Sequence, residues 1–423
     1  MMVVEPPATP DYVRKLQAIE GFAEISEVMR SPDFAQGATE DRRAFLFDTL
    51  IFIEGREHDE RKRVYSELFS RESIACYERD LLQPVIDQTL DRLDAARGSD
   101  GLARADFVPM IRLLLHRIAA QVTGVDGVDA DERTERFRAL ITRINEATSS
   151  NFARGDSREL VAIGFAALKD LVAEFLQPSL DRRMALVKRL RAGEITMADL
   201  PRDALTAKCV AGDLFREGDR GENAHVWREC VLFLIASTGT TTVSLPHVVT
   251  HVDEWVREHP EDAPKVRDPE FLRLCVAESL RLHQTAPVKF RVAIKDVTLS
   301  SGRTVKQGEM VALHAPAANL DPALFGPDAN TFDPYRVPPE GVHPWGLTFG
   351  VGPHMCLGRS LVTGIKNRPD EKYGAEGMMV RILKSLYRRG MRLDPDHPPT
   401  RTAVTFHDAY ASMPVVFARA GAA

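Results

Sequence analysis

Apolar residues return every three or four positions along Asp106–Val122, Asp156–Gln177 and Ala224–Ser237, with few breakers, and this spacing predicts three helices. A fourth helical run surrounds Glu278-Ser279-Leu280-Arg281, where Phe271, Leu272, Leu274, Val276 and Leu282 supply the apolar positions. The pattern changes over Arg291–Leu313. There Val292, Ile294, Val297, Leu299, Val305 and Val311 alternate with polar residues around Ser301-Gly302 and Gln307-Gly308, which predicts short strands joined by turns. Loops rich in Pro, Asp and Gly follow from Ala315 to Gly346. No internal repeat, low-complexity tract or linker divides the chain. The expected fold is mainly α with small β-sheets, as one domain over residues 1–423.

Composition narrows the function classes. A chain of 423 residues with 44% hydrophobic and 27% charged residues is ordinary globular material, long enough to enclose a cofactor. A net charge of −6 argues against a nucleic-acid partner. No uninterrupted apolar run approaches the roughly 18 residues that cross a bilayer. The start, Met1-Met2-Val3-Val4-Glu5-Pro6-Pro7, lacks a basic region, an apolar core and a cleavage site. Cys76, Cys209, Cys230, Cys275 and Cys356 are scattered and odd in number, which suits a reducing compartment.

The chemistry concentrates in Phe349-Gly350-Val351-Gly352-Pro353-His354-Met355-Cys356-Leu357-Gly358. Glycines let a backbone turn tightly and approach a flat ligand closely. A cysteine on such a loop can offer its thiolate to a metal, its charge tempered by nearby backbone N–H groups. The segment resembles the haem-binding loop of the cytochrome P-450 family, F-x-x-G-x-x-x-C-x-G, with Phe349, Gly352, Cys356 and Gly358 at every fixed position. The resemblance runs from about His58 to Arg359. It implies haem b, with Cys356 as the axial ligand, held between a long distal helix and the cysteine loop with its proximal helix.

Further segments follow the family in order. Glu278 and Arg281 share a helix face and can pair; the family completes such a pair with an arginine from a later loop, here Arg336 in Phe332-Asp333-Pro334-Tyr335-Arg336. Ala318-Asn319-Leu320-Asp321-Pro322 and Phe325-Gly326-Pro327-Asp328 resemble its A-N-x-D-P…F-x-x-P loop, and by composition they are turn formers. The haem propionates need cationic or hydrogen-bonding partners. The resemblance offers His354, Arg291 and the helix start His58-Asp59-Glu60-Arg61-Lys62-Arg63, where Lys62 stands in place of the family's usual arginine and Arg63 is an alternative.

The distal pattern departs from the family. Its motif [A/G]-G-x-[D/E]-T-[T/S] falls on Ala236–Thr241, with Gly239 in the acid position, Thr240 in the threonine position and Thr241 following; a shifted register uses Thr242. Neither register contains a carboxylate. A glycine followed by three threonines predicts a locally opened helix. Ala236, Val288, Lys289 and Phe290 are expected at the substrate pocket, roofed by helices between about 140 and 190. The region before His58 is short for the family, and Gly21–Phe34 resembles the helix and S-x-x-F ending that precede its substrate-contacting loop. After the cysteine, Thr363–Gly377, with Asn367-Arg368-Pro369-Asp370, reads as an insertion before helical spacing resumes at Met378–Arg388.

The activity implied is that of a soluble, cytoplasmic, bacterial-type haem-thiolate monooxygenase without a membrane anchor. It would insert one oxygen atom from O2 into a small or medium organic molecule. NAD(P)H would supply the electrons through a separate ferredoxin and reductase, with Arg61, Lys62 and Arg63 attracting an acidic ferredoxin. Two alternatives stay open: a peroxide-using peroxygenase or other atypical reaction, and a non-catalytic haem-binding protein.

Overall fold

The alternating segment forms the centre of a four-stranded sheet. Lys289–Ala293 pairs antiparallel with Met310–Leu313, and Phe34–Gln36 adds antiparallel to its other edge, with Phe34 opposite Ala293. Gln17–Ile19 completes the sheet, parallel to Met310–Leu313, with Ile19 opposite Leu313. The two-residue strands Val297–Thr298 and Thr304–Val305 make a separate hairpin at the predicted turn. The computed structural model describes residues 3–5, 7, 9–153, 156–216, 219, 221–366 and 374–418.

Chain contacts divide the protein into two compact units, each assembled from separate segments. One comprises Met1–Gly37, Glu78–Ile111 and Thr240–Ala423 and holds every sheet among the described residues. Its apolar core joins Ile19, Phe34, Val311 and Leu313 of the four-stranded sheet to Ile25, Val28 and Met29 of the helix Phe22–Arg30. Leu347 and Val351, at the base of the cysteine loop, lie in the same cluster. A three-stranded sheet joins Ala103–Asp106, Pro414–Phe417 and Met391–Leu393. Thr400–Arg401 and Tyr410–Ser412 form a C-terminal hairpin.

The other unit, Ala38–Tyr77 with Arg112–Gly239, is helical. Its largest interface packs Asp131–Thr148 on Ser157–Leu171. Gly164 lets these helices meet, because a Cβ there would lie 2.3 Å from that of Ala147. The predicted helix 156–177 continues through a wider π turn at Val172–Leu176 into Gln177–Arg191.

The helix expected to end at Ser237 runs unbroken from His225 to Glu258. No opening occurs at Gly239–Thr242. The helix continues although Ser237 donates to the Phe233 carbonyl and Thr238 to that of Leu234, bonds that by themselves favour a bend. Pro246 lies inside it as well. Although it lacks an uninterrupted apolar run, this helix is long and apolar enough by composition to cross a bilayer. A core helix meets the same test, and buried Arg228, Glu229, His247 and His251 mark it as one.

Beyond the cysteine loop, Arg359–Thr363 is a short helix and Met378–Arg388 a longer one. The expected insertion lies between them; Asn367–Asp370 fall outside the described residues. Its base is a close main-chain contact in which Ile365 bridges Ala375. Gly364 and Gly377 both have positive φ, and a Cβ on Gly377 would sit 2.3 Å from the Gly364 nitrogen. Buried Glu78 accepts hydrogen bonds from the backbone N–H of Glu376 at 3.1 Å and of Gly377 at 2.7 Å, and pairs with Arg381 at 3.4 Å. It thereby caps the second helix from about three hundred positions earlier in the chain. Glu78→Ala leaves those N–H groups without their partner and should cost about 2–3 kcal/mol. Urea unfolding checks this, and a loss below about 0.5 kcal/mol would contradict the capping role.

Candidate active site

The cysteine loop turns on glycines. Gly346, Gly350 and Gly352 have φ of +55°, +68° and +77°. A Cβ on Gly352 would come within 2.8 Å of the Met29 carbonyl oxygen, and one on Gly346 within 2.1 Å of the Asn319 amide oxygen. The Cys356 N–H donates to the Phe349 carbonyl at 2.9 Å, which closes the loop and sets the thiol at its tip. Trp345 packs edge-on against Phe349 at 5.5 Å. Cys356 is exposed, whereas Cys209, Cys230 and Cys275 are buried and Cys76 half-buried. Burial pushes the Cys209 thiol up to about 11 and Cys230 to about 12, with Cys275 also well raised, so these three stay protonated.

Under the loop sits a polar network. Arg281, with no exposed surface, donates Nε and Nη2 to the Glu278 carboxylate at 2.7 and 2.6 Å. Its Nη1 donates to the carbonyls of Asn319 and Ala329, each at 2.7 Å. Arg336 reaches the same Glu278 oxygen through Nε at 2.9 Å and binds Asp328 at 3.0 Å. The three side chains named from the sequence therefore meet.

Asn319 carries this network into the loop. Its Nδ2 donates to the carbonyls of Arg281 and Trp345, and its Oδ1 accepts from the Leu347 N–H at 2.8 Å. Thr348 Oγ1 donates to the Leu280 carbonyl at 2.6 Å. Sequence reading passed over Asn319 as a turn former; the signal available was its place between the E-x-x-R helix and the cysteine.

These features fit an iron porphyrin: one exposed thiol on a rigid loop whose turns at 346, 350 and 352 carry no side chains. The sequence model of the cytochrome P450 family matches residues 26–363. The chain belongs to the cytochrome P450 family. The biotin biosynthesis cytochrome P450 of Bacillus subtilis is 27% identical over 74% of this chain and 68% of that protein. The cyclooctat-9-en-7-ol 5-monooxygenase of Streptomyces melanosporofaciens is 28% identical over 80% and 74%. Among solved structures, CalO2 superposes with a TM-score of 0.69 at 21% identity, covering 99% of this chain and 94% of that one. P450BioI, solved in complex with hexadec-9Z-enoic acid-ligated acyl carrier protein, gives 0.67 at 20% over 98% and 95%. The protein is thus an oxygen-incorporating oxidoreductase whose cofactor is haem b and whose family acts on small molecules with O2.

The remaining sequence-derived residues of this P450 divide between the two units. Cys356, His354, Arg291, Val288, Lys289, Phe290, Thr240 and Thr241 belong to the sheet-bearing unit; His58, Lys62, Ala236 and Gly239 belong to the helical one. Arg291 is buried and donates to Gln36 Oε1 at 2.5 Å and the Phe290 carbonyl at 2.9 Å. His354 and Phe349 are half-buried in the loop, and Gly358 caps the helix Arg359–Thr363. His58 is buried with Nδ1 3.3 Å from Asp59. Lys289 donates to Gln284 and to the Ala286 carbonyl, each at 3.4 Å, and burial, with Arg291 nearby, lowers its pKa to about 8.

On the long helix, Ala236 and Thr240 are exposed one turn apart, whereas Thr241 and Thr242 are buried. Of the candidate threonines, only Thr240 lies on the open stripe. Arg61 requires correction. It is buried and pairs with Glu229 at 3.1 Å and Glu57 at 2.7 Å, so it is a structural cation and cannot attract a ferredoxin. Arg63 is exposed and Lys62 half-buried on the same helix.

A second cluster occupies the sheet-bearing unit. His283 Nδ1 lies 2.9 Å from Asp408 Oδ2, His247 Nε2 lies 2.9 Å from the Asp408 carbonyl, and Arg401 binds Asp408 Oδ1 at 2.5 Å. Ligand atoms of His247, His283 and Asp408 lie within 4.8 Å of one another. Their imidazoles stack at 3.8 Å with 19° between planes, however, so the ring lone pairs run side by side and do not converge on an ion. The cluster ties the C-terminal hairpin to the helices His225–Glu258 and Pro269–Leu282.

Two predictions follow from this chemistry. Glu278→Gln removes the countercharge of fully buried Arg281 and should cost about 3–5 kcal/mol; thermal unfolding beside the parent protein measures it, and an unchanged midpoint would contradict it. Burial, then the neighbouring His283, lowers the His247 pKa to about 3, while burial also drives His251 well down. As pH falls below about 6.5 the unfolded chain takes up these protons first, so stability should decline from there towards pH 4. Asp408, held near 2 against burial by its hydrogen bond from His283 and by the histidine and Arg401 charges around it, adds a loss only below about 4. Urea midpoints at pH 7.5 and 5.0 should draw together in His247→Gln; an undiminished gap would clear His247 of the effect.

Proposed function

We propose that this P450 inserts one atom of O2 into a small or medium organic substrate. Electrons come from NAD(P)H through a separate ferredoxin and reductase, and the whole chain works as one domain in the cytoplasm. The observation that carries the reading is the exposed Cys356 thiol on a loop fixed by Asn319 and the Glu278–Arg281–Arg336 network. The family match, which runs through segments of both units, supports the single-domain reading.

When bound, haem with a thiolate ligand supplies an oxidant strong enough for C–H bonds. Cys356 is the ligand this chain offers. Arg291, His354, His58 and Lys62 are the groups proposed to hold the propionates, by charge or hydrogen bonding. Ala236, Val288, Lys289 and Phe290 position the substrate, and Thr240 holds a proton on the distal side. Lys62 and Arg63 remain the basic candidates for donor docking.

Gly239 in the acid position favours a second reading, in which peroxide replaces O2 and external electrons. Turnover of a fatty-acid or steroid panel with peroxide alone, faster than with a ferredoxin, its reductase and NADPH, would decide for it.

The first test is the spectrum of the reduced protein with carbon monoxide. The parent protein should show a strongly red-shifted Soret band, and Cys356→His should move it back to the position of imidazole-ligated haem. A parent band without the shift would overturn thiolate ligation, and with it the monooxygenase reading.

A further inference from the structure

The missing distal carboxylate leaves a space beside the helix His225–Glu258, and another side chain lies against it. A Cβ built on Gly239 would be 3.4 Å from both Nδ2 and Oδ1 of Asn145 and 3.6 Å from its Cγ. The nearly equal distances to nitrogen and oxygen mean that the polar end of the amide is turned towards the Cβ position of Gly239. A side chain at 239 would make ordinary contact with that amide through its Cβ.

Asn145 sits in the last turn of Asp131–Thr148 and is half-buried. Its backbone carbonyl accepts from Thr148 Oγ1 and from the Ser149 N–H. Its side-chain amide, in contrast, makes no hydrogen bond to another described residue. A polar group packed on a glycine, with its donor and acceptors unused inside the protein, is available to water or a ligand.

We propose that Asn145 is the distal polar group of this P450, and that its amide takes over from the neighbouring helix the positioning role left open at Gly239. This rests on the P450 reading. The amide donates and accepts but does not ionise in the physiological range. It therefore orders water or hydroxyl groups next to the Gly239-Thr240 step, and those groups, not the amide, carry the protons. Asn145 is a positioning residue, and pairing it with glycine is a spatial exchange: the polar atoms move from one helix to the next.

The test compares the parent protein with Asn145→Leu, which keeps the volume and removes the polar atoms. The probe is carbon monoxide on the dithionite-reduced protein, read by infrared spectroscopy without substrate. The strongly red-shifted Soret band should persist in the variant, while the C–O stretch moves to higher frequency because a hydrogen-bonded environment has been lost. With a plant-type ferredoxin, its reductase and NADPH, peroxide released per NADPH should rise at least twofold. Reciprocal exchange, Asn145→Gly with Gly239→Asp, should return both readouts towards the parent values. This also covers the case in which Asn145→Leu fails to load haem.

If the C–O stretch and the peroxide yield are unchanged in Asn145→Leu, the amide is packing only and the proposal is wrong. It is also wrong if the reciprocal exchange loads haem yet behaves as the leucine variant does. Loss of the red-shifted Soret band in the parent protein would instead remove the P450 reading itself, so the two failures are distinguishable.

Discussion

The site depends on where one buried guanidinium spends its hydrogen bonds. Arg281 has no access to water, so each of its donors needs a protein acceptor. Glu278 takes two, and the carbonyls of Asn319 and Ala329 take the next pair. Those carbonyls belong to the short helix Ala315–Asn319 and to the turn at Ala329, so satisfying the arginine fixes both against the helix Pro269–Leu282. A buried ion pair is weak evidence for net stability, because desolvation offsets most of its attraction. Its consequence here is positional. Asn319, held by its backbone, turns its amide to the Arg281 and Trp345 carbonyls and to the Leu347 N–H. The base of the cysteine loop is thereby registered to the helix through hydrogen bonds of ordinary length. A metal ligand needs placement of that accuracy, and a glycine-rich loop cannot provide it alone.

How much of this was legible in the sequence follows from the range of the interactions involved. The Glu278–Arg281 pair is a local i, i+3 contact and the cysteine loop a run of adjacent residues, so both are legible through their resemblance to the family's short motifs. Alternation over Arg291–Leu313 was enough to find the strands for the same reason. Arg61 could not be read in this way. Its deepest partner, Glu229, lies 168 positions away, and nothing in the run Arg61-Lys62-Arg63 says that the first cation is internal and the third exposed. Asn319 belongs to a run of turn formers, and its composition suggests nothing more. Its structural duty appears only when Gly346 brings the loop against it.

The long helix shows propensity giving way to context. Threonines and a glycine lower helix stability in isolation by tenths to about 1 kcal/mol each. Within a 34-residue helix whose flanks are packed, that penalty is spread over many buried contacts. Ser237 and Thr238 close their hydroxyls onto the preceding turn, which by itself favours a bend, so the packed flanks keep the helix intact where the composition predicts an opening. What remains exposed in this stretch is Ala236 and Thr240, one small and one hydroxylated, on a single stripe. Gly239 beside them admits the amide of Asn145. Along this stretch, small side chains decide where a neighbouring polar group can approach the helix.

The insertion after the cysteine obeys a related constraint. Extra residues between two helices disturb a site when their ends are held at the wrong separation, and the entropy of a longer connection grows only slowly with length. Gly364 and Gly377 bring those ends into backbone contact, closer than any residue with a Cβ permits. Glu78 then supplies acceptors for the N–H groups of Glu376 and Gly377 at the start of the following helix. The helix Met378–Arg388 consequently begins from a fixed point that does not rely on continuity with Arg359–Thr363. Two glycines and one distant carboxylate thus fix the chain on either side of the segment that begins where the family match ends, at residue 363.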